Sequence, residues 1–170
     1  MSPTAICNKR VAVLDADTGK MKRYWGAYGN KPDDADLGPY DPTAPPAQQF
    51  RNPVHCVERS NDGLVYVCDR ANDRLQVFTP DGTFVKEAFY ARNTRGAGSV
   101  WDIVFSKDPE QRFIMLADGQ NERVRIIVRD TLEEITVVRR RRTPARPVLR
   151  RAQHRVRLQG QPLHDRDLRG

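Results

Sequence analysis

The chain has 170 residues, enough for one well-buried domain, with 29 Lys or Arg against 22 Asp or Glu and a formal net charge of +7. That charge is uneven: residues 1–137 hold 18 basic and 20 acidic side chains, whereas residues 138–170 hold 11 and 2. No apolar run approaches the ~20 residues of a membrane span, the start Met-Ser-Pro-Thr-Ala-Ile-Cys lacks the basic and apolar parts of a secretory signal, and three cysteines do not make a disulfide scaffold.

In chain order, the first predicted strands are Arg10–Leu14 and Lys20–Trp25, joined through Asp-Ala-Asp-Thr-Gly. Residues 27–49 then read as an inserted loop, because six of the twelve prolines lie between Pro32 and Pro53 and proline cannot serve a sheet interior. From there the strands come in tight antiparallel order. Val54–Ser60, Leu64–Arg70, Arg74–Thr79 and Thr83–Tyr90 are separated by Asn-Asp-Gly, Ala-Asn-Asp and Pro-Asp-Gly, which are hairpin-turn sequences. After a loop at Ala91–Ser99 a second set follows: Val100–Ser106, Phe113–Asp118, Arg123–Val128 and Glu134–Val138.

The second set repeats the first. Leu64–Lys86 and Phe113–Thr131 share a strand ending in Asp, then Asn-x-Arg, then a β-rich run, then Asp and a turn, and Asn8–Gly19 repeats the later half. Repetition at this spacing outranks other clues to the fold. A four-stranded meander has two faces to bury, so it stacks on copies of itself, and consecutive copies read as propeller blades. The expected fold is therefore all-β, an incomplete β-propeller of four-stranded antiparallel blades. Its predicted parts are a partial blade at 1–26 (the last two strands), the insert at 27–49, a complete blade at 50–92, a second at 93–138, and an Arg-rich tail without structure at 139–170.

Pairing of Ser60 with Leu64 across the Asp62 hairpin sets Cys56 directly opposite Cys68. Adjacent-strand disulfides are usually strained, so both are expected to be ordinary buried thiols, which behave as small hydrophobes.

Trp25-Gly26, Gln49-Phe50, Pro53, Asp62-Gly63, Asp69, Asn72, Arg74, Phe78 and Asp81-Gly82 together resemble the unit of the NHL-repeat propellers. The resemblance covers most of residues 8–137. It implies blades closed into a ring of about six, which 170 residues at ~45 per blade do not fill. The repeat residues Asp69, Asn72, Arg74, Asp118, Asn121 and Arg123 are expected to be structural: Asp69 accepts backbone and Arg hydrogen bonds, and Arg74 or Arg123 bridges neighbouring turns through its planar fork.

Val138 onward reads Val-Arg-Arg-Arg-Arg-Thr-Pro-Ala-Arg-Pro, with neither β nor helical period. An Arg-rich tail suggests a polyanion partner, but no aromatic residues are interleaved for base stacking and no nucleic-acid module is recognisable, so nucleic acid is not the expected partner. If GC-rich codons for this stretch are read one base later, they give Phe-Gly-Asp-Gly-Gly-Arg-Arg-Pro-Gly-Gln and then most of another half-blade, with Ala-His-Ser-Ile where Val54-His55-Cys56-Val57 stands. The tail is accordingly expected to be out of frame. A shorter match, Val-Ala-Asp-Gly-Tyr, gives the same expectation for the N-terminus.

His55 opens a first strand, the strand that lines a propeller channel, and Trp101 and Asp102 take the matching place in the next blade. Lyases that resemble this family hold zinc on channel-facing histidines, so His55 is a candidate metal ligand, and zinc or calcium is a candidate cofactor of a full-length parent. The chain supplies one such histidine, and Trp101 interrupts the ring. Asp102 reads either as a channel carboxylate or, better, as a satisfied strand-end acid. His154 and His164 lie in the tail. Asp33, Asp34 and Asp36 lack the alternating spacing of a calcium loop and read as solvated. No Ser-His-Asp elbow, phosphate loop, Cys-x-x-Cys pair or HExxH helix is present.

The expected function is non-catalytic binding of a protein or small ligand by a propeller fragment. The alternative is the remnant of an extracytoplasmic metal-dependent lyase or lactonase-like hydrolase, and polyanion binding through the tail is a third, weaker reading. No membrane partner is expected. Open blade edges are expected to favour self-association. The compartment is left open, although the resembled family is often extracytoplasmic.

Overall fold

The computed structural model describes residues 9–139; the tail beyond Arg139 and residues 1–8 lie outside the described residues. The described chain is all-β, in three antiparallel sheets. Strands β1 (Val11–Leu14) and β2 (Met21–Trp25) form a two-stranded sheet. Strands β3 (Cys56–Arg59), β4 (Val65–Asp69), β5 (Arg74–Phe78) and β6 (Phe84–Phe89) form a four-stranded meander in that order. Strands β7 (Asp102–Phe105), β8 (Phe113–Asp118), β9 (Arg123–Val128) and β10 (Glu134–Arg139) repeat it. The result is an incomplete propeller-like stack: half a blade, then two whole ones. Among the described residues no helix is long and apolar enough to cross a membrane.

The middle sheet shows why the copies stack. Successive residues of a strand point to opposite faces, and in β4 both faces are apolar. Val67 enters a core with Val11, Trp25, Phe50, Val54 and Phe78. Tyr66 and Cys68 enter the opposite core with Leu75, Ile103, Ile114, Leu116 and Ile127. All five residues of β5 are buried in consequence. Aromatic edges lock both junctions: Phe78 lies 5.9 Å from Trp25 and 6.2 Å from Phe50, and Tyr66 meets Phe105 at 5.0 Å in a T-shaped pair. At the far end the blades are tied by Arg129, whose guanidinium donates to both carboxylate oxygens of Asp62 at 2.9 and 2.8 Å.

Two expectations are corrected. The first strands of both blades are shorter than the apolar pattern suggests, because Val54 and Val100 leave the sheet to fill the cores while only the next residue keeps a ladder bond: His55 N–H donates to the Cys68 carbonyl at 2.9 Å, and Trp101 N–H to the Ala117 carbonyl at 3.0 Å. Cys56 and Cys68, expected as free thiols, are joined in a disulfide with a Cα–Cα distance of 4.8 Å. They are direct register partners, and this brings them within bridging distance.

Candidate functional site

The end of the blades where β4 turns into β5 gathers the repeat residues into a buried polar network. Asp69 accepts hydrogen bonds from Arg51 N–H (3.1 Å), Asn72 Nδ2 (2.7 Å) and Arg74 Nε (2.7 Å). Arg74 is fully buried and uses the rest of its fork on the Tyr28 hydroxyl at 3.0 Å and the Gln49 carbonyl at 3.1 Å. The Tyr28 hydroxyl donates to Glu87 at 2.8 Å, and burial together with that carboxylate pushes its pKa up to about 12. Gln76 completes the circuit by donating to Glu87 at 2.9 Å. One guanidinium thus joins a turn, two ends of the insert and a neighbouring strand, a structural task.

In the second blade the bridging arginine is Arg125 rather than Arg123. Asp118 accepts from Asn121 Nδ2 at 2.8 Å and from Arg125 Nε and Nη2 at 2.9 and 2.5 Å, while Arg125 Nη1 donates to Glu134 at 2.6 Å. By register Arg123 stands where Arg74 stands, opposite the strand-end Asp, and Arg125 stands where Gln76 does. Two residues along a strand return to the same face, so a guanidinium at the Gln76 position reaches both the Asp and the acid of the outer strand. Arg123 has no ion-pair partner among the described residues.

His55 and Trp101 do meet at the junction of β3 and β7. His55 Nδ1 lies 2.5 Å from the Trp101 carbonyl, with the rings 5.6 Å apart. Trp101 Nε1–H also donates to the Gly98 carbonyl at 2.8 Å, and the Arg70 guanidinium lies 5.1 Å from its ring centre. Asp102 Oδ1 accepts the N–H of Ile103 at 2.9 Å. Its charge, after burial, raises the neighbouring Glu58 carboxyl above the usual range. Among the described residues no three His, Cys, Asp or Glu side chains gather to hold a metal. In the acidic loop, Asp33 and Asp36 each accept a backbone N–H two residues on, and Asp34 pairs with Arg10.

The more enclosed feature was not visible in the sequence. The Pro-rich insert folds back over the network end of the first whole blade and closes a cavity of about 150 Å³ lined by Tyr40, Pro45, Arg51, Phe89 and Arg92. Arg51 anchors it, donating to Asn72 Oδ1 at 2.8 Å and to carbonyls of Leu37, Gly38 and Pro39. The Arg92 guanidinium lies 4.7 Å over the Phe89 ring and donates to the Ala44 carbonyl at 2.8 Å, while the Tyr40 hydroxyl donates to the Arg92 carbonyl at 2.9 Å. Among the described residues, Arg92 Nε is buried with no hydrogen-bond partner. Only the proline content of residues 27–49 hinted at the cavity; its walls come from positions ~50 residues apart, which no local pattern links.

Beneath this loop Asp73 has φ 55° and is fully buried. Its Oδ1 accepts the Ser99 N–H at 2.8 Å, its Oδ2 has no partner among the described residues, and burial raises its pKa from 3.8 to about 6. Between those two values the folded chain holds a proton that the unfolded chain has lost, so stability falls as pH rises from about 4 to 6. Asp73→Asn keeps the acceptor for Ser99 but removes the titration. Thermal unfolding across pH 4–7 should show the wild type losing ground to Asp73→Asn as pH rises through that window; parallel curves would reject the assignment.

Comparison of the chain with models of known protein families finds no match, and comparison with curated proteins finds none either.

Proposed function

We propose that this chain is a non-catalytic binding piece of an NHL-type propeller, and that the insert-capped end of its first whole blade takes an acceptor-bearing group of a protein or small ligand. The observation that carries this reading is the cavity under the insert, lined by Tyr40, Phe89 and Arg92, whose guanidinium has a buried Nε without a hydrogen-bond partner among the described residues. An arginine donor held in a partly apolar cleft favours a carboxylate, since charge-assisted hydrogen bonds strengthen away from water. A volume of about 150 Å³ admits a short side chain or chain terminus, not a cofactor.

The test is a two-dimensional NMR titration with a short peptide bearing a free C-terminal carboxylate and with its amidated form. Shift changes centred on Tyr40, Phe89 and Arg92 for the free acid, lost in Arg92→Gln, are expected. Equal responses to the two peptides, or none at these residues, would remove the reading.

A further inference from the structure

Asp73 follows directly on Asn72, a wall of the cavity under the insert and the acceptor for its anchor, Arg51. The turn after β4 fixes it at both ends of its backbone. Its N–H donates to the Arg70 carbonyl at 3.1 Å, and its carbonyl accepts the Tyr90 N–H at 2.9 Å. The side chain is fully buried, so it cannot swing out to water, and the Ser99 N–H occupies only Oδ1. Toward the insert the carboxylate stands beside Tyr40. Burial and then the Asp73 charge raise the Tyr40 pKa, while a hydrogen bond with Arg92 lowers it. Tyr40, a wall of the cavity, is therefore in reach of both the buried acid and the arginine.

We infer that Asp73 is a proton gate on this cavity: a ligand carboxylate is accepted beside Arg92 while the Asp73 carboxyl is neutral and is disfavoured once it ionises. The inference rests on the reading of the cavity as a carboxylate site. Two carboxylates that share one enclosed site do not both ionise freely, because burial removes the water that would screen them.

The other groups around Asp73 do not cancel this repulsion. Asp118, at the end of β8, adds to it, although Arg125 pairs with that acid. Ser99, in the lead-in to β7, offers neutral donors. On the turn itself, Arg70 packs over Trp101 and Arg74 is bonded to Asp69. From the insert side, the Arg51 donors are taken by Asn72 and by carbonyls of residues 37–39. That leaves Arg92 to be shared between Asp73 and the ligand. Burial already lifts the Asp73 carboxyl to about 6, and the added charge of a ligand carboxylate lifts it further. Binding above pH 6 therefore takes up a proton, and affinity falls as pH rises. A further rise of about one unit corresponds to a roughly tenfold weaker affinity at pH 7.5 than at pH 5.0.

Two-dimensional NMR titrations of the full 170-residue chain with N-acetyl-dialanine test this at the two pH values. The single carboxylate of that peptide is ionised at both. In the wild type, the Kd read from Tyr40, Phe89 and Arg92 should rise about tenfold at pH 7.5. Asp73→Asn keeps a residue type that accepts the positive φ. It should bind equally at both pH values, with the wild-type affinity of pH 5.0, which separates Asp73 from the histidines that titrate in the same range. With no peptide added, the Tyr40 ring signals of the wild type should titrate with a midpoint near pH 6. A Kd that is the same at both pH values, an equal pH dependence in Asp73→Asn, or Tyr40 signals that stay flat would overturn the gate while leaving the carboxylate site standing. No response at Tyr40, Phe89 and Arg92 at either pH would remove the site itself, and the gate with it.

Discussion

Asp69→Ala is expected to lower the unfolding free energy by about 3 kcal/mol, because it takes the hydrogen-bonded carboxylate from the fully buried Arg74 and leaves it only the looser ion pair with Glu87 at 3.6 Å. That is a large part of the ~5–15 kcal/mol that a domain possesses, so the variant should be recovered mostly unfolded. The loss is not confined to one pair. Asn72 Nδ2 and the Arg51 N–H also donate to this carboxylate, and Arg51 is the anchor of the insert. The cavity under the insert should therefore be lost together with the stability. A double variant, Asp69→Leu with Arg74→Leu, removes both charges and should recover part of the deficit, since replacing a buried pair by apolar groups is often nearly neutral. Asp118→Ala should cost less than Asp69→Ala, because Arg125 keeps Glu134 at 2.6 Å, whereas the more deeply buried Arg74 keeps only Glu87 at 3.6 Å. Urea unfolding of the four proteins checks the order. An Asp69→Ala midpoint within error of Asp118→Ala would show that the network is not the tie it is drawn to be.

The blades were legible because their signals are local. Each turn of Asn-Asp-Gly or Pro-Asp-Gly fixes a hairpin, and pairing Ser60 with Leu64 carried the register down to Cys56 opposite Cys68, as observed. What failed needed information from outside the strand. The disulfide depends on how closely two paired backbones approach, and alternation alone does not say that. Arg-Val-Arg at 123–125 offers two guanidinium groups on one face, and the Asn-x-Arg spacing selects Arg123, whereas Glu134 on the adjoining strand draws Arg125 into the bridge. The cavity was out of reach altogether. Tyr40, Arg51 and Arg92 acquire a shared role only once the insert has folded over the turn that holds Asn72 and Asp73.

His55 illustrates the same limit from the other side. Its place at the start of a blade's first strand was readable, and so was the matching position of Trp101 in the next blade. What the sequence could not supply was the environment: its Nδ1 lies against a backbone carbonyl, and its ring packs on an indole. These contacts place His55 in packing and hydrogen bonding at the junction of β3 and β7.

Gly98→Ala is expected to separate the two whole blades, at a cost of about 3 kcal/mol or more. Gly98 has φ +77°, and a Cβ there would lie 1.9 Å from the Arg70 carbonyl oxygen and 2.6 Å from its carbon. Both are backbone atoms of the turn after β4, so neither gives way as a flexible side chain would. The segment would have to lift. Ser99 would then lose its N–H bond to Asp73 and its hydroxyl bond to the Tyr90 carbonyl, and Val100, fully buried, would leave the core between the blades. Gly96→Ala is the matched control. Gly96 has nearly the same φ, +76°, but a Cβ there meets only the Gln120 side chain at 3.6 Å. It carries the left-handed backbone strain alone, about 1–2 kcal/mol. The difference between the two variants therefore isolates the contact between the blades from the cost of the backbone angle. Thermal melts followed by tryptophan fluorescence should show Gly98→Ala melting well below Gly96→Ala, with Trp101 already solvated before the main transition. Equal melting temperatures would mean that the lead-in to β7 does not rest on the β4 turn, and the junction would have to be held by the apolar core alone.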